Sequence, residues 1–269
     1  MTTIRDKKIL ITGAAHGMGK LMAFAFARRG GQMILVDVDE AGLADVEAGL
    51  EATGKVALSV VCDLSKREEI AKLREEVTET VGRIDILVNN AGVVTAGPLE
   101  EISDERDQLM MDVNMGAVHW MTKAFMPDLK AGDDTHLIQL ASAAGLVGVP
   151  GQVVYCASKW FVVGFSEAIR LELKEGGYDH VGISVICPSF VDTGMFDGAR
   201  PPLLSPMLQP DFVVERIMEA VESEEFYVQE PFIVRLMPLM RATLPTRVLD
   251  TLMDATGATR AMTGWKGHK

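Results

Sequence analysis

The chain has 269 residues, of which 48% are hydrophobic and 24% charged. That is ordinary globular usage and excludes a disordered chain. Its 25 glycines follow no G-X-Y period, which excludes collagen. The 26 basic and 38 acidic residues give a formal net charge of −12. This argues against a nucleic-acid partner, because phosphate recognition needs a net basic surface.

At roughly 100–200 residues per domain, the length allows one large domain or two small ones. No internal repeat or low-complexity linker appears, so a single domain over residues 1–269 is expected. Cys62, Cys156 and Cys187 form no CxxC pair, so neither a metal site nor a disulfide framework is expected. They read as reduced thiols of a cytoplasmic protein. No apolar stretch precedes the first strand, and no window reaches the ~18 uninterrupted apolar residues of a membrane span. Sixteen methionines stand against three Trp and three Tyr.

Apolar runs predict strands at Lys8–Thr12, Gln32–Asp37, Val56–Cys62, Ile84–Asn89, His136–Ala141, Gly182–Cys187 and Phe226–Val228. Helical spacing predicts helices at Gly17–Arg29, Glu40–Thr53, Lys66–Val81, Arg106–Lys130 and Gln152–Gly176. The strands are continuous Val/Ile/Leu runs, as in a parallel sheet covered on both faces. Their alternation with helices predicts a doubly wound α/β Rossmann sheet of about seven strands.

The first strand runs into TGAAHGMG, with Gly13, Gly17 and Gly19 in a G-x-x-x-G-x-G spacing that includes His16 and Met18. Glycines there permit a tight turn and close approach to a pyrophosphate, and the following helix N-terminus supplies N–H donors. The other reading is a strand–helix turn without a ligand. The second strand ends at Asp37, where a carboxylate accepts from both ribose hydroxyls and repels a 2′-phosphate, favouring NAD over NADP. The alternative role is a helix N-cap, which Asp39 equally supplies. His16 points the other way, because a basic ring in the turn suits a 2′-phosphate. Asp63 in VVCDL and Asn89–Gly92 (NNAG) end two further strands, where open parallel sheets place ligands. Asp63 is placed for the adenine edge, and Asn90, Ala91 and Gly92 for the adenosine side.

The strand HLIQLAS ends at Ser142, and Tyr155 and Lys159 follow in YCASK. Their i, i+4 spacing puts phenol and ammonium on one helix face. A phenol of pKa about 10 is too weak a base near neutrality. A neighbouring ammonium stabilises phenolate and lowers that value. Ser142 suits a hydrogen bond to the substrate oxygen. A YxxxK also arises by chance on many helices.

These residues together resemble the short-chain dehydrogenase/reductase family over about residues 8–195. The resemblance implies that Tyr155 transfers the proton and Ser142 orients the substrate. It implies that Lys159 contacts the nicotinamide ribose and that Asn114 holds a water in the proton relay. Leu64 beside Asp63 then belongs to the adenosine pocket. Pro188, Val191 and Thr193 in PSFVDTG belong to the nicotinamide end, with Thr193 on the carboxamide. The family has Gly after that proline; here it is Ser189. The segments ITGAAHGMGKLMAFAFA, LVNNAGVV, TKAFMPDL, ASAAGLVGVP and CPSFVDTGM are similar to the branch of 17β-hydroxysteroid dehydrogenases 11 and 13 and retinol dehydrogenases. That branch acts on hydroxyls of steroids, retinoids and other lipids, generally with NAD. Its N-terminal hydrophobic anchor has no counterpart before the first strand here.

Gly194–Asp211 follows the nicotinamide turn and is read as a substrate lid over 194–212, carrying Met195, Phe196, Leu203, Leu204, Met207 and Leu208. Val149, Pro150 and Val153 continue that wall. Apolar walls suit an apolar alcohol or ketone, and methionines adapt to bulky ligands; core or dimer packing is the alternative. An amphipathic C-terminal extension over 231–269 starts with Pro231–Arg247, which holds Arg235, Arg241 and Arg247 and no acid. Pro238 and Pro245 are expected to break it into short pieces. A basic amphipathic segment predicts peripheral membrane contact through 231–247, with packing on the core or a second subunit as the alternative. Apolar helices at Met115–Met126 and Trp160–Phe165 predict a homodimer or homotetramer. A reductase of 3-oxoacyl carrier-protein type and a catalytically idle nucleotide sensor are the competing functions. Asp37 speaks against the first, and the Ser142, Tyr155 and Lys159 set against the second.

Overall fold

A computed structural model describes residues 2–51 and 54–267. Seven parallel strands lie in the order β3-β2-β1-β4-β5-β6-β7. They are β1 (Lys8–Thr12), β2 (Gln32–Asp37), β3 (Val56–Val61), β4 (Ile86–Asn89), β5 (Thr135–Leu140), β6 (Val181–Pro188) and β7 (Tyr227–Glu230). Side chains alternate across a strand, so Ile9 and Ile11 face one apolar layer while Leu10 faces the other. The first layer packs under α1 (Gly17–Arg28), α2 (Glu40–Glu51) and α7 (Pro210–Ser223). The second packs under α3 (Arg67–Thr80), α5 (Val118–Ala131) and α6 (Val153–Glu175). Both faces are thus covered, as the unbroken apolar strands require. The predicted strand cores hold, with ends shifted by up to two residues. The predicted helix end at Ala52 and Thr53 lies outside the described residues, as do His268 and Lys269 of the C-terminal extension.

The expected single helix Arg106–Lys130 is divided. α4 (Asp104–Met111) passes through a π turn at Asp112–Ala117 before α5 continues. Such turns insert a residue into the ladder and gather at functional sites; this one carries Asn114.

The C-terminal third departs further from expectation. Pro238 does not break its segment: it sits inside α8 (Phe232–Thr243). Val234 is fully buried, and Ile233 and Met237 pack against the second layer, so tertiary burial carries the helix past the proline. Pro245 does end it, and caps α9 (Thr246–Thr256). The carboxyl ends of β1 and β4 diverge to opposite sides of the sheet, the switch point where such folds hold ligands.

Candidate active site

The turn after β1 uses Gly13 and Gly17 at φ +65° and +50°, and a Cβ on Gly19 would lie 1.8 Å from the Gly13 carbonyl oxygen. Only glycine fits that approach. The Asn90 amide donates to the carbonyls of Thr12 (2.8 Å) and Gly13 (3.1 Å). Thr12 Oγ1 accepts from the N–H groups of Asn90 and Ala91, both at 3.0 Å. Asn89 is buried and bonds Thr122 and Gln139. The NNAG amides therefore tie the end of β4 to the glycine turn, and Asn90 acts on that turn through its carbonyls.

His16 occupies the N-cap of α1 without a side-chain cap bond, so the first-turn N–H groups remain for an anion. Thr193 closes against this turn: a Cβ on Gly17 would sit 3.4 Å from its Cβ. Met18 packs under the turn on the first apolar layer.

Asp37 accepts from the Ala15 N–H (2.9 Å) with one oxygen and from Val38 (2.7 Å) and Asp39 (3.1 Å) with the other. The helix-capping role falls instead to Asp39, which accepts from Gly42 N–H at 3.2 Å. The His16 ring lies 2.6 Å from Asp39, and that bond holds the Asp39 carboxyl below its usual range. The ring is thus committed to a carboxylate, contrary to its expected availability for a 2′-phosphate. Asp63 accepts from Ser65 N–H (3.0 Å) and Ser65 Oγ (2.6 Å), and pairs with Lys66 at 3.0 Å. The Ser65 bond leads in lowering its pKa, and Leu64 beside it is buried.

A glycine cradle, an uncapped helix start and a fixed carboxylate at the next strand end together fit a dinucleotide.

At the other side of the switch point, Asn114 is fully buried. Its oxygen accepts from Val93 N–H (2.8 Å), and its amide donates to Val93 O (2.9 Å) and Ser158 Oγ (3.2 Å). The side chain thus clamps the loop after β4. Gly92 lies between it and Lys159: a Cβ there would be 3.3 Å from Asn114 Oδ1 and 3.6 Å from Lys159 Nζ. Ser142 caps a short 3-10 turn by accepting from Ala144 N–H (3.1 Å) and points its hydroxyl at Pro188 O (3.5 Å). Tyr155 is hydrogen-bonded to Ser142, but burial dominates and pushes the phenol up to about 12. Lys159 donates to Leu140 O at 2.8 Å, with its Nζ 5.7 Å from the Tyr155 ring centre. Burial pushes this ammonium down to about 8. The expected lowering of the Tyr155 pKa by Lys159 is therefore outweighed here. Both groups have lost water, and desolvation disfavours each charged form.

Ser142 and Tyr155 open onto a cavity of about 200 Å³ whose wall is almost wholly apolar. Val149, Phe196 and Leu204 line it as expected, and Phe196 stands edge-on to Tyr155 with ring centres 6.2 Å apart. Val153, Met195, Leu203 and Met207 do not line it. Val153, the first residue of α6, and Leu203, in the segment after Thr193, face outward, at 49% and 81% exposure. The wall is completed by Met237 and Met240 of α8 and by Leu249, Leu252 and Met253 of α9. The α9 contribution was missed; its signal is the i, i+3, i+4 spacing of those residues.

Ser189, at the glycine position of the family, accepts from Ser205 Oγ at 2.5 Å and ties the β6 end to the lid. Val191 bridges to Leu208. The lid is also held from the C-terminal side, by Leu203 N–H to Thr256 O (3.0 Å) and Trp265 Nε1 to Met195 O (3.1 Å). Of the basic residues of 231–247, Arg235 pairs with Glu230 at 2.8 Å, and Arg241 lies 4.1 Å over Trp160.

A family profile described as short chain dehydrogenase matches residues 7–203. The chain belongs to the short-chain dehydrogenase/reductase family. It is an NAD(P)-dependent alcohol/ketone oxidoreductase. Epidermal retinol dehydrogenase 2 of Homo sapiens is 36% identical over 264 residues, 97% of this chain and 85% of that protein. Estradiol 17-beta-dehydrogenase 11 of Mus musculus is 37% identical over 250 residues, 93% of this chain and 84% of that protein. A short chain dehydrogenase/reductase from Burkholderia phymatum in complex with NAD superposes with a TM-score of 0.80 at 28% identity, over 94% of this chain and 97% of that one. A short-chain dehydrogenase from Sphingobium yanoikuyae in complex with NADPH gives 0.76 at 26% identity, over 92% and 95%. Dehydrogenases of this fold thus bind either nucleotide. Among the described residues, no helix is long and apolar enough to cross a membrane.

Proposed function

We propose that the protein interconverts a secondary alcohol and its ketone on a hydrophobic, steroid-, retinoid- or lipid-like substrate, using NAD. The observation that carries this reading is the apolar cavity of about 200 Å³ that meets Ser142 and Tyr155 at one wall. Pockets of this kind bind apolar bodies and orient them with few polar groups.

When bound, NAD supplies a nicotinamide carbon that exchanges hydride. The chain's own residues do the rest. Gly13, Gly17, Gly19 and the N-terminus of α1 hold the pyrophosphate. Asp37 holds the adenosine ribose, with Asp63, Leu64 and Asn90–Gly92 around the adenosine. Pro188, Val191 and Thr193 enclose the nicotinamide end. Ser142 hydrogen-bonds the substrate oxygen. Tyr155 Oη takes the hydroxyl proton in oxidation and returns it in reduction. A phenol pushed up to about 12 rests protonated and so carries the proton that reduction needs; releasing it there, and losing it before oxidation, both rely on the Lys159 ammonium to stabilise the phenolate. Asn114 fixes the loop beside Lys159, where a water of the proton relay would be held.

The test is a panel of alcohols followed at the NADH absorbance with NAD and with NADP. Preference for a three- or four-carbon alcohol over a steroid or long-chain alcohol overturns the substrate class. Preference for NADP overturns the cofactor assignment.

Membrane delivery is a second reading, favoured by the exposed Phe232 (66%) and Leu239 (61%) on the same helix that lines the cavity. Liposome co-sedimentation with and without anionic lipid tests it; absence of binding to both overturns it. The half-buried Trp120, Phe161 and Phe165 on α5 and α6 favour a dimer or tetramer, which sedimentation velocity tests.

A further inference from the structure

The turn that opens the lid touches both halves of the site. Thr193, at its start, lies against the glycine turn after β1, where a Cβ on Gly17 would be 3.4 Å from the Thr193 Cβ. Phe196, three residues on, stands edge-on to Tyr155 with ring centres 6.2 Å apart, and to Phe190 at 5.3 Å. One short stretch of backbone therefore joins the glycine cradle to the reacting phenol.

That stretch is held from outside. Within the turn, Gly194 O accepts from Asp197 N–H at 3.2 Å, and Phe196 O accepts from Ala199 N–H at 3.0 Å. The alternate carbonyls are taken by the segment after α9. Trp265 Nε1 donates to Met195 O at 3.1 Å, and Lys266 N–H donates to Asp197 O at 3.0 Å. Further along the lid, the N–H groups of Arg200 and Leu203 donate to Ala261 O at 2.7 Å and Thr256 O at 3.0 Å. The two backbones meet at paired glycines. A Cβ on Gly264 would lie 2.5 Å from Gly198 O, and one on Gly198 would lie 2.1 Å from Gly264 O. Gly264 has no left-handed φ, so the close approach alone accounts for its glycine. Ala258 and Ala261 of this segment line the cavity, whereas Trp265 stands outside its wall.

We infer that Trp265 is a positioning residue. By holding the Met195 carbonyl, it sets the turn that carries Thr193 to the nucleotide and Phe196 to Tyr155, and residues 256–267 act as a strap that keeps the lid closed over both. The inference rests on the nucleotide and Tyr155 assignments of the preceding subsection and goes beyond them. A lid that completes a reacting centre loses rate when a distant tie lets it shift.

The first measurement needs no substrate. It is amide exchange, read by mass spectrometry on peptides spanning 194–205, with and without NADH or NADPH. The bound nucleotide is expected to slow exchange there in the wild type, because Thr193 sits at the nicotinamide end. Trp265→Phe keeps an aromatic ring and loses the N–H. It is expected to speed exchange in the free protein about fivefold, as loss of one hydrogen bond implies, and to lose most of the protection by nucleotide. Gly264→Ala pushes the strap off Gly198; it is expected to do the same, and it serves if the tryptophan variant does not fold. The second measurement is kcat/KM for 2-hexanol and 2-decanol, expected to fall in both variants by a similar factor of about five, since Thr193 and Phe196 serve the reacting centre and not the tail of the substrate. Loss confined to 2-decanol makes the strap a piece of cavity wall and overturns the inference. So does exchange that quickens while nucleotide protection stays unchanged, the mark of a purely structural tie. Absence of nucleotide protection over 194–205 in the wild type also overturns it. If neither alcohol is oxidised, the substrate reading of the preceding subsection is at fault, and the exchange measurement still decides the role of Trp265.

Discussion

Replacing Asp37 by Asn should remove most discrimination against a 2′-phosphorylated cofactor. The wild-type carboxylate is pinned by three backbone N–H groups at 2.7–3.1 Å, so it cannot swing away from an approaching phosphate. The only basic side chain in the glycine turn, His16, is held by Asp39 and offers no rescue. With about two charges on the phosphate, a separation of about 6 Å and an effective dielectric near 40, the repulsion is about 3 kcal/mol. That corresponds to on the order of 100-fold in affinity. Asn keeps one acceptor oxygen for the turn but loses the charge, and weakens the ribose hydrogen bonds by about 1 kcal/mol. The expected result is that kcat/KM with NAD falls several-fold while that with NADP rises, bringing the two within about tenfold of each other. The assay is steady-state kinetics with each nucleotide, with melting temperature and circular dichroism as controls. An unchanged NAD/NADP ratio in a folded variant refutes the role given to Asp37.

Three further outcomes follow from the same structure. Tyr155→Phe removes the proton-transferring oxygen but keeps the ring against Phe196; turnover should fall by about 10²–10⁴-fold with cofactor affinity, read by NADH fluorescence, retained. Undiminished turnover would remove Tyr155 from the chemistry. Asp128→Ala strips a 7%-exposed carboxylate that accepts both Arg74 guanidinium N–H groups at 2.6 Å and Ile84 N–H at 3.0 Å. Breaking such a pair costs about 3–5 kcal/mol, seen as a melting temperature lower by on the order of 10 °C; a drop under a degree would show that the pair carries no stability. His136 is buried between Thr2 and Ser184, and burial depresses its pKa to about 3. The unfolded chain takes up this proton near pH 6.5 while the folded chain does not. Stability should therefore fall as pH drops from 6.5 toward 3, by up to about 1.4 kcal/mol per pH unit from this residue. Denaturant melts of wild type and His136→Gln at pH 7 and pH 5 measure it, and an equal loss in both proteins would exclude His136 as the source.

What the sequence made legible divides along a physical line. The strands, the glycine turn and the YxxxK pair are specified by neighbours in the chain: periodicity, a glycine that alone tolerates an approach, an i, i+4 spacing. Each of these is local, and each appears in the structure close to where it was expected. The cavity wall is specified by neighbours in space. Leu203 and Leu204 are adjacent in sequence and equally apolar, and both are exposed, at 81% and 58%, yet of the two only Leu204 reaches the cavity; the bond from Leu203 N–H to Thr256 O that ties the segment joins residues far apart in the chain. Pro238 shows the same limit from the other side. Its local cost to a helix is about 3 kcal/mol, and burial of Val234 with its neighbours outweighs it. Electrostatics followed suit. The Tyr155–Lys159 spacing correctly placed two groups on one face, but the sign of the phenol shift depended on how completely both were desolvated, a property that no spacing encodes.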